Sequence, residues 1–136
     1  MQSTVVWNEG MRFTGTTEDG LHATFDAGES KAAASPVETL LMAAGACSMM
    51  DIVSILQKMR QDLRGIEVRM EGQRATAEPR ILVAVAYRYI LTGTALDRDA
   101  VQRAIELSIS KYCSVGQTIE RAGAKVTSTF EIREPG

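Results

Sequence analysis

The chain has 136 residues, about one domain on the usual range, and it can bury roughly two-thirds of its unfolded surface without disulfide staples. Apolar residues make up 45% and charged residues 24%, a globular balance that excludes disordered and fibrous classes. Fifteen Lys/Arg against seventeen Asp/Glu leave a net charge of −2, so electrostatics favour neither nucleic acid nor an anionic membrane as partner. Two cysteines are too few for a secreted disulfide scaffold. His22 alone cannot build a structural zinc site, which takes about four N/S ligands, and nothing in the chain calls for a cofactor. The start, Met1 to Trp7, lacks the basic and long apolar runs of a signal peptide. The stretch from Leu40 to Met50 is shorter than the roughly 20 residues that span a bilayer, and Asp51 ends it. The expectation is a soluble cytoplasmic protein of one domain, residues 1–136.

Residues 4–7 and 11–16 are rich in Val, Trp, Phe and Thr and are divided by Asn8-Glu9-Gly10, which reads as strand, turn, strand. Glu18-Asp19-Gly20 is a second turn, and Leu21–Phe25 a third short strand. Asp26–Ser35 has no usable period and reads as a loop. Ser35-Pro36-Val37-Glu38 is a helix start, with Ser35 as cap, Pro36 at the first helical position and Glu38 closing a capping box. The helix is predicted to end near Leu63, because Arg64-Gly65 offers a stop. Its first half is apolar nearly all round, the pattern of a buried central helix. One polar stripe, Cys47, Asp51, Ser54 and Lys58, falls within a sector of about 60°. Ile66–Arg74 and Ile81–Leu91 read as a hairpin around Ala75–Arg80. Asp97 caps a second helix, with Val101, Ile105, Ser108, Tyr112, Val115 and Ile119 on one face and Gly123 at its end. Lys125–Arg133 is a last strand. The order β-β-β-α-β-β-α-β points to an α+β fold.

Cys47 and Cys113 are the chemically suggestive residues. Cys47 lies in Gly45-Ala46-Cys47-Ser48, where small neighbours would leave room for a second molecule near the sulfur. Cys113 lies in Lys111-Tyr112-Cys113-Ser114-Val115. On a continuous helix it would sit about 120° from the core stripe, so a break near Cys113–Gly116 is expected. At such a break the free amides would lower the Cys113 thiol pKa. Both cysteines could equally be small buried hydrophobes, the usual state of free cysteine. Glu38 is a candidate activating carboxylate, yet it stands about 13 Å from Cys47 along a helix axis and half a turn out of phase, so capping explains it within one chain. Asp51, one turn from Cys47, would raise the thiol pKa as an anion unless Arg12 or Lys58 neutralises it. Arg12 could turn inward as a thiolate partner or stay solvated on its strand. Met42, Met49, Met50 and Met59 read as core filler able to line an adaptable apolar pocket.

The run Ser35-Pro36-x-Glu38-x-Leu40-Leu41-x-Ala43-Ala44-x-x-Cys47, together with Cys113-Ser114-Val115, closely resembles the OsmC/Ohr family over essentially the whole chain. Within it, Ala43-Ala44-Gly45-Ala46-Cys47-Ser48 and Lys111-Tyr112-Cys113-Ser114-Val115 look most like the YhfA-like branch. The resemblance implies an intertwined homodimer with the first-helix cysteine at the interface. It also implies a thiol peroxidase in which Cys47 reduces an organic hydroperoxide and becomes a sulfenic acid. Cys113 then forms a disulfide with it, which an external dithiol, a lipoylated protein in family members, reduces. In the peroxidase branches a Glu follows the motif proline and pairs with an Arg over the thiol; here that position is Val37, and Ala27–Ser35 contains only Lys31 as a cation. Arg12 and Glu38 are the residues left to take those activating roles. The alternative is a non-peroxidatic dimer that binds a small apolar ligand or responds to redox state through its cysteines.

Overall fold

Three short strands open the structure, a computed structural model that describes residues 1–136. β1 (Ser3–Glu9), β2 (Arg12–Thr17) and β3 (His22–Asp26) form an antiparallel sheet in that order. Gly10 and Gly20 supply the positive φ values, 54° and 85°, that the two turns need. Asp26 is buried at the end of β3. Its carboxylate accepts the Gly28 and Ala32 amides at 2.9 and 3.0 Å, which ties down the loop that follows. Met1–Leu40 forms one compact unit and Leu41–Gly136 a second.

Helix α1 (Pro36–Lys58) begins with the expected capping box. Ser35 Oγ accepts the Glu38 amide at 3.2 Å, and Glu38 Oε1 accepts the Ser35 amide at 3.0 Å. α1 stops at Lys58, short of the expected Leu63. Arg60 adopts the left-handed conformation (φ 58°), and the Arg60 and Gln61 amides turn back to the carbonyls of Gln57 and Leu56, both at 3.0 Å. That is a Schellman closure with arginine in the place usually taken by glycine. Gly65, the expected stop, lies instead inside a strand, at a register shift.

In the second unit β4 (Asp62–Arg74) and β5 (Leu82–Thr94) pair antiparallel, and β6 (Lys125–Arg133) adds in parallel to β5, giving the order β4-β5-β6. Val85, Tyr87, Tyr89 and Leu91 alternate inward from β5 and are 3% exposed or less. Against them pack Ala44, Ile52 and Leu56 of α1, Val101, Ala104 and Ile105 of α2 (Arg98–Leu107), and Ile119 of α3 (Ser114–Arg121). The second helix, expected to run from Asp97 to Gly123 with a break near Cys113–Gly116, is in three pieces: α2, a π-helical turn at Ser108–Tyr112, and α3. The wide turn rotates Tyr112 off the core stripe and leaves it 51% exposed.

α1 is buried on one face only. Ala44, Gly45, Ser48, Ile52 and Leu56 are inside, whereas Met42, Met50 and Met59 are exposed. These three methionines are therefore not core filler within one chain. The helix also reaches a mean hydropathy of 1.8 over 18 residues, enough by length and composition to cross a bilayer, which the shorter stretch Leu40–Met50 did not disclose. Its inner face is nonetheless the wall of a packed core of β-strands and helices.

Candidate active site

Cys47 lies midway along α1, half-buried, and Cys113 is fully buried at the start of α3. The chain arrives at Cys113 through the π turn, whose last bond runs from the Cys113 amide to Ser108 O at 2.8 Å. Cys113 itself is extended (ψ 98°) and caps α3. The expected break is present, and it brings α3's first amides to the two thiols. Single wide turns of this kind occur often at functional sites, because one added residue re-aims everything beyond it.

The two thiols are made unequal by their surroundings. The Val115 backbone amide faces the Cys47 sulfur, as do Cys113 and Ser114, whose Oγ is 3.9 Å away. These donors outweigh burial and the nearby Asp51 charge, so the Cys47 pKa falls below that of an ordinary thiol, chiefly through the Val115 amide. Cys113 moves the other way. Burial, reinforced by the Cys47 charge, pushes it up to about 11, although the Gly116 amide donates to its sulfur at 3.3 Å. Its own thiol points at Ala44 O, 3.7 Å away. The expectation that the helix start would acidify Cys113 is thus corrected: desolvation overrides the cap, and the benefit passes to Cys47. Iodoacetamide at about pH 8 should label Cys47 first and leave Cys113 unmodified until the pH nears 11. Peptide mapping checks this, and equal labelling of both would contradict it.

Of the small residues beside Cys47, only Ala46 is exposed, on the rim of an open groove; the others make no room for a second molecule. Ala44 and Gly45 are buried, and a Cβ on Gly45 would stand 3.0 Å from Val68 and 3.1 Å from Met70 Sδ. They let α1 lie close on β4. Ser48 is also buried, with Tyr89 Oη at 2.5 Å and Ser108 Oγ at 2.8 Å. Ser108 in turn donates to Asp51 Oδ2 at 3.1 Å. Sequence reading missed Ser48, Ser108, Tyr89 and the Val115 amide, although Ser108 on an apolar stripe was a usable signal. Arg12 pairs with Asp26 at 3.4 Å and Glu9 at 3.5 Å. Glu38 is occupied by Lys31 and the Ser35 amide, which hold its carboxyl down at about 2. Each of these two has its partners within Met1–Leu40. Met49 and Met50 line an open groove of about 510 Å³ with Ala46, Val53, Gln57 and Ile66.

Two three-stranded sheets, one long helix and a facing pair of unequal thiols define an α+β dithiol protein. Residues 28–129 match the family described as OsmC-like protein. The protein YhfA of Escherichia coli K12 is 42% identical over 132 residues, covering 97% of this chain and 98% of its own. A crystal structure of an Aquifex aeolicus VF5 protein, described as hypothetical, has a TM-score of 0.86 at 26% identity over 99% of this chain and 97% of that one. An organic hydroperoxide resistance protein OsmC from Legionella pneumophila shares the fold, with a TM-score of 0.71 at 16% identity over 96% of this chain and 97% of that one. The chain belongs to the OsmC-like protein family.

Proposed function

We propose that this protein is a thiol peroxidase that reduces organic hydroperoxides through a Cys47–Cys113 sulfenate and disulfide cycle. The observation that carries the reading is the unequal pair: an acidified, half-buried Cys47 beside a buried Cys113 held as thiol. The Cys47 thiolate attacks the distal oxygen of ROOH, an S–O bond forms, the O–O bond breaks, and RO⁻ leaves to take up a proton as ROH. The Cys113 thiol then attacks the Cys47 sulfenic acid, releasing water and closing a disulfide. An external dithiol, such as a lipoylated protein, gives two electrons and two protons to restore both thiols. The hydrogen-bond donors around Cys47 do here what the Glu–Arg pair does in the peroxidase pattern, with Val37 in the Glu position. Such a cycle belongs in a reducing compartment, and the cytoplasm fits it.

The same reading includes a homodimer. In the first unit Val5, Val6 and Trp7 of β1 are 52–66% exposed, and in the second Met42 and Met50 stand out from α1, so each unit by itself leaves apolar side chains for a second copy to cover. The open groove beside Ala46, Met49 and Met50 favours the second reading, an apolar-ligand site. One equivalent of cumene hydroperoxide, mixed rapidly with the reduced protein, separates the two. The peroxidase should lose both thiols and form an intramolecular disulfide far faster than free cysteine reacts. Oxidation no faster than that of free cysteine would leave the ligand-binding reading in place.

A further inference from the structure

The Asp51 carboxylate is one helical turn beyond Cys47 on the same face of α1, with Cβ atoms about 5–6 Å apart in that relation. It is held there by a buried chain of hydroxyls. Ser108 Oγ is 3.1 Å from Asp51 Oδ2 and 3.3 Å from the Ser48 carbonyl, and both are pure acceptors, so the Ser108 proton must point to them. Ser48 therefore donates to Ser108 at 2.8 Å and accepts the Tyr89 proton at 2.5 Å. Ser48, Ser108 and Tyr89 are all fully buried, and burial raises the Tyr89 pKa, so the phenol keeps its proton. Every proton in the chain points toward Asp51. Oδ2 is thereby engaged, while Oδ1 has no protein partner.

Beyond Asp51 opens a cavity of about 460 Å³, lined by Asp51, Ser54, Ile55, Lys58, Leu107 and Tyr112 among others. Asp51 thus lies along α1 between Cys47 and a space mixed in polarity. The charged and titratable groups facing it are Cys47 and Lys58 on α1, Tyr112 on the π turn with Lys111 over its ring, Cys113 at the start of α3, and Tyr89 of β5 through Ser48.

We propose, on the peroxidase reading above, that Asp51 is the catalytic acid–base residue of the first step, taking the Cys47 proton and returning it to the departing alkoxide. The thiol proton moves to the Asp51 carboxylate, and the thiolate forms its S–O bond with the distal oxygen as the O–O bond breaks. Protonated Asp51 then delivers its proton to the proximal oxygen. The products are ROH and Cys47 sulfenic acid, with the carboxylate restored. Resting charge on Asp51 opposes thiolate formation. A group that only tuned the thiol would be better absent; a group that shuttles its proton must be near it.

The test is Asp51→Asn, which keeps an oxygen for Ser108. Iodoacetamide labelling of Cys47 should become faster at neutral pH, because an opposing charge is gone, and this also reports an intact site. Reaction with tert-butyl hydroperoxide, which must expel the strongly basic tert-butoxide, should slow by roughly 100-fold, within the usual span for acid–base assistance. Reaction with a peroxy acid, whose carboxylate leaves without a proton, should change little. Equal effects on both oxidants, or faster reaction with both, would overturn the assignment while leaving the peroxidase reading standing. A wild-type protein that reacts no faster than Cys47→Ser with either oxidant removes the peroxidase reading, and the role of Asp51 with it.

Discussion

With Cys113 replaced by Ser, the proposed peroxidase should release one equivalent of alcohol per chain from an alkyl hydroperoxide and then stop. The attacking sulfur, the Val115 amide and the Ser114 hydroxyl remain in place, so the first step survives. The serine hydroxyl can cap α3 but cannot close a disulfide, so the sulfenic acid persists and passes to the sulfinic form as oxidant is raised. Cys47→Ser should release no alcohol above background, since an alcohol is a poor nucleophile toward peroxide oxygen. Product counting against protein concentration, with mass spectrometry for the added oxygens, checks both variants. Continued turnover of Cys113→Ser with a dithiol reductant would show that Cys113 is dispensable for resolution.

Gly93→Ala should be the most damaging small change in the fold. An added Cβ would stand 2.3 Å from the Asp62 carbonyl and 2.9 Å from Leu96. The first of these is backbone, fixed at the start of β4 directly after the Schellman turn that ends α1. Relief therefore means moving a strand rather than rotating a side chain. Overpacking of this kind costs on the order of 2–3 kcal/mol, or a drop in Tm of roughly 10 °C for a chain this long. Gly65→Ala is the control within the same strand pair. Its new Cβ would meet only Thr92 Cβ, at 3.8 Å, and the change should cost less than about 1 kcal/mol. Thermal unfolding by circular dichroism distinguishes the two. Equal Tm values for both variants would show that the close approach at Gly93 is not the cause.

What was legible in the chain itself was local. The capping box at Ser35 and Glu38 involves groups three residues apart, and the structure forms both of its hydrogen bonds. The turns at Gly10 and Gly20 follow from a backbone conformation that only glycine takes freely. The inward alternation of β5 and the apolar stripe of α2 follow from periods of 2 and 3.6 residues. Even the break at Cys113 was foreseeable, because a cysteine off the core stripe could face Cys47 only if the helix stopped. Tertiary structure decided the rest. Arg60 closes α1 in a left-handed conformation that no arginine prefers, because β4 must start at once on the core; the glycine five residues on was the better local stop and was passed over. Ser108 could be placed on the apolar stripe of the second helix, but its pairing with Ser48 could not; they meet in the core because their hydroxyls satisfy one another and Tyr89. The acidity of the two thiols was settled the same way. A helix start acidifies whichever sulfur its free amides reach, and burial decides whether that suffices. Cys47 is reached by Val115 from a distant part of the chain, while Cys113, on the helix itself, is too deeply desolvated to gain.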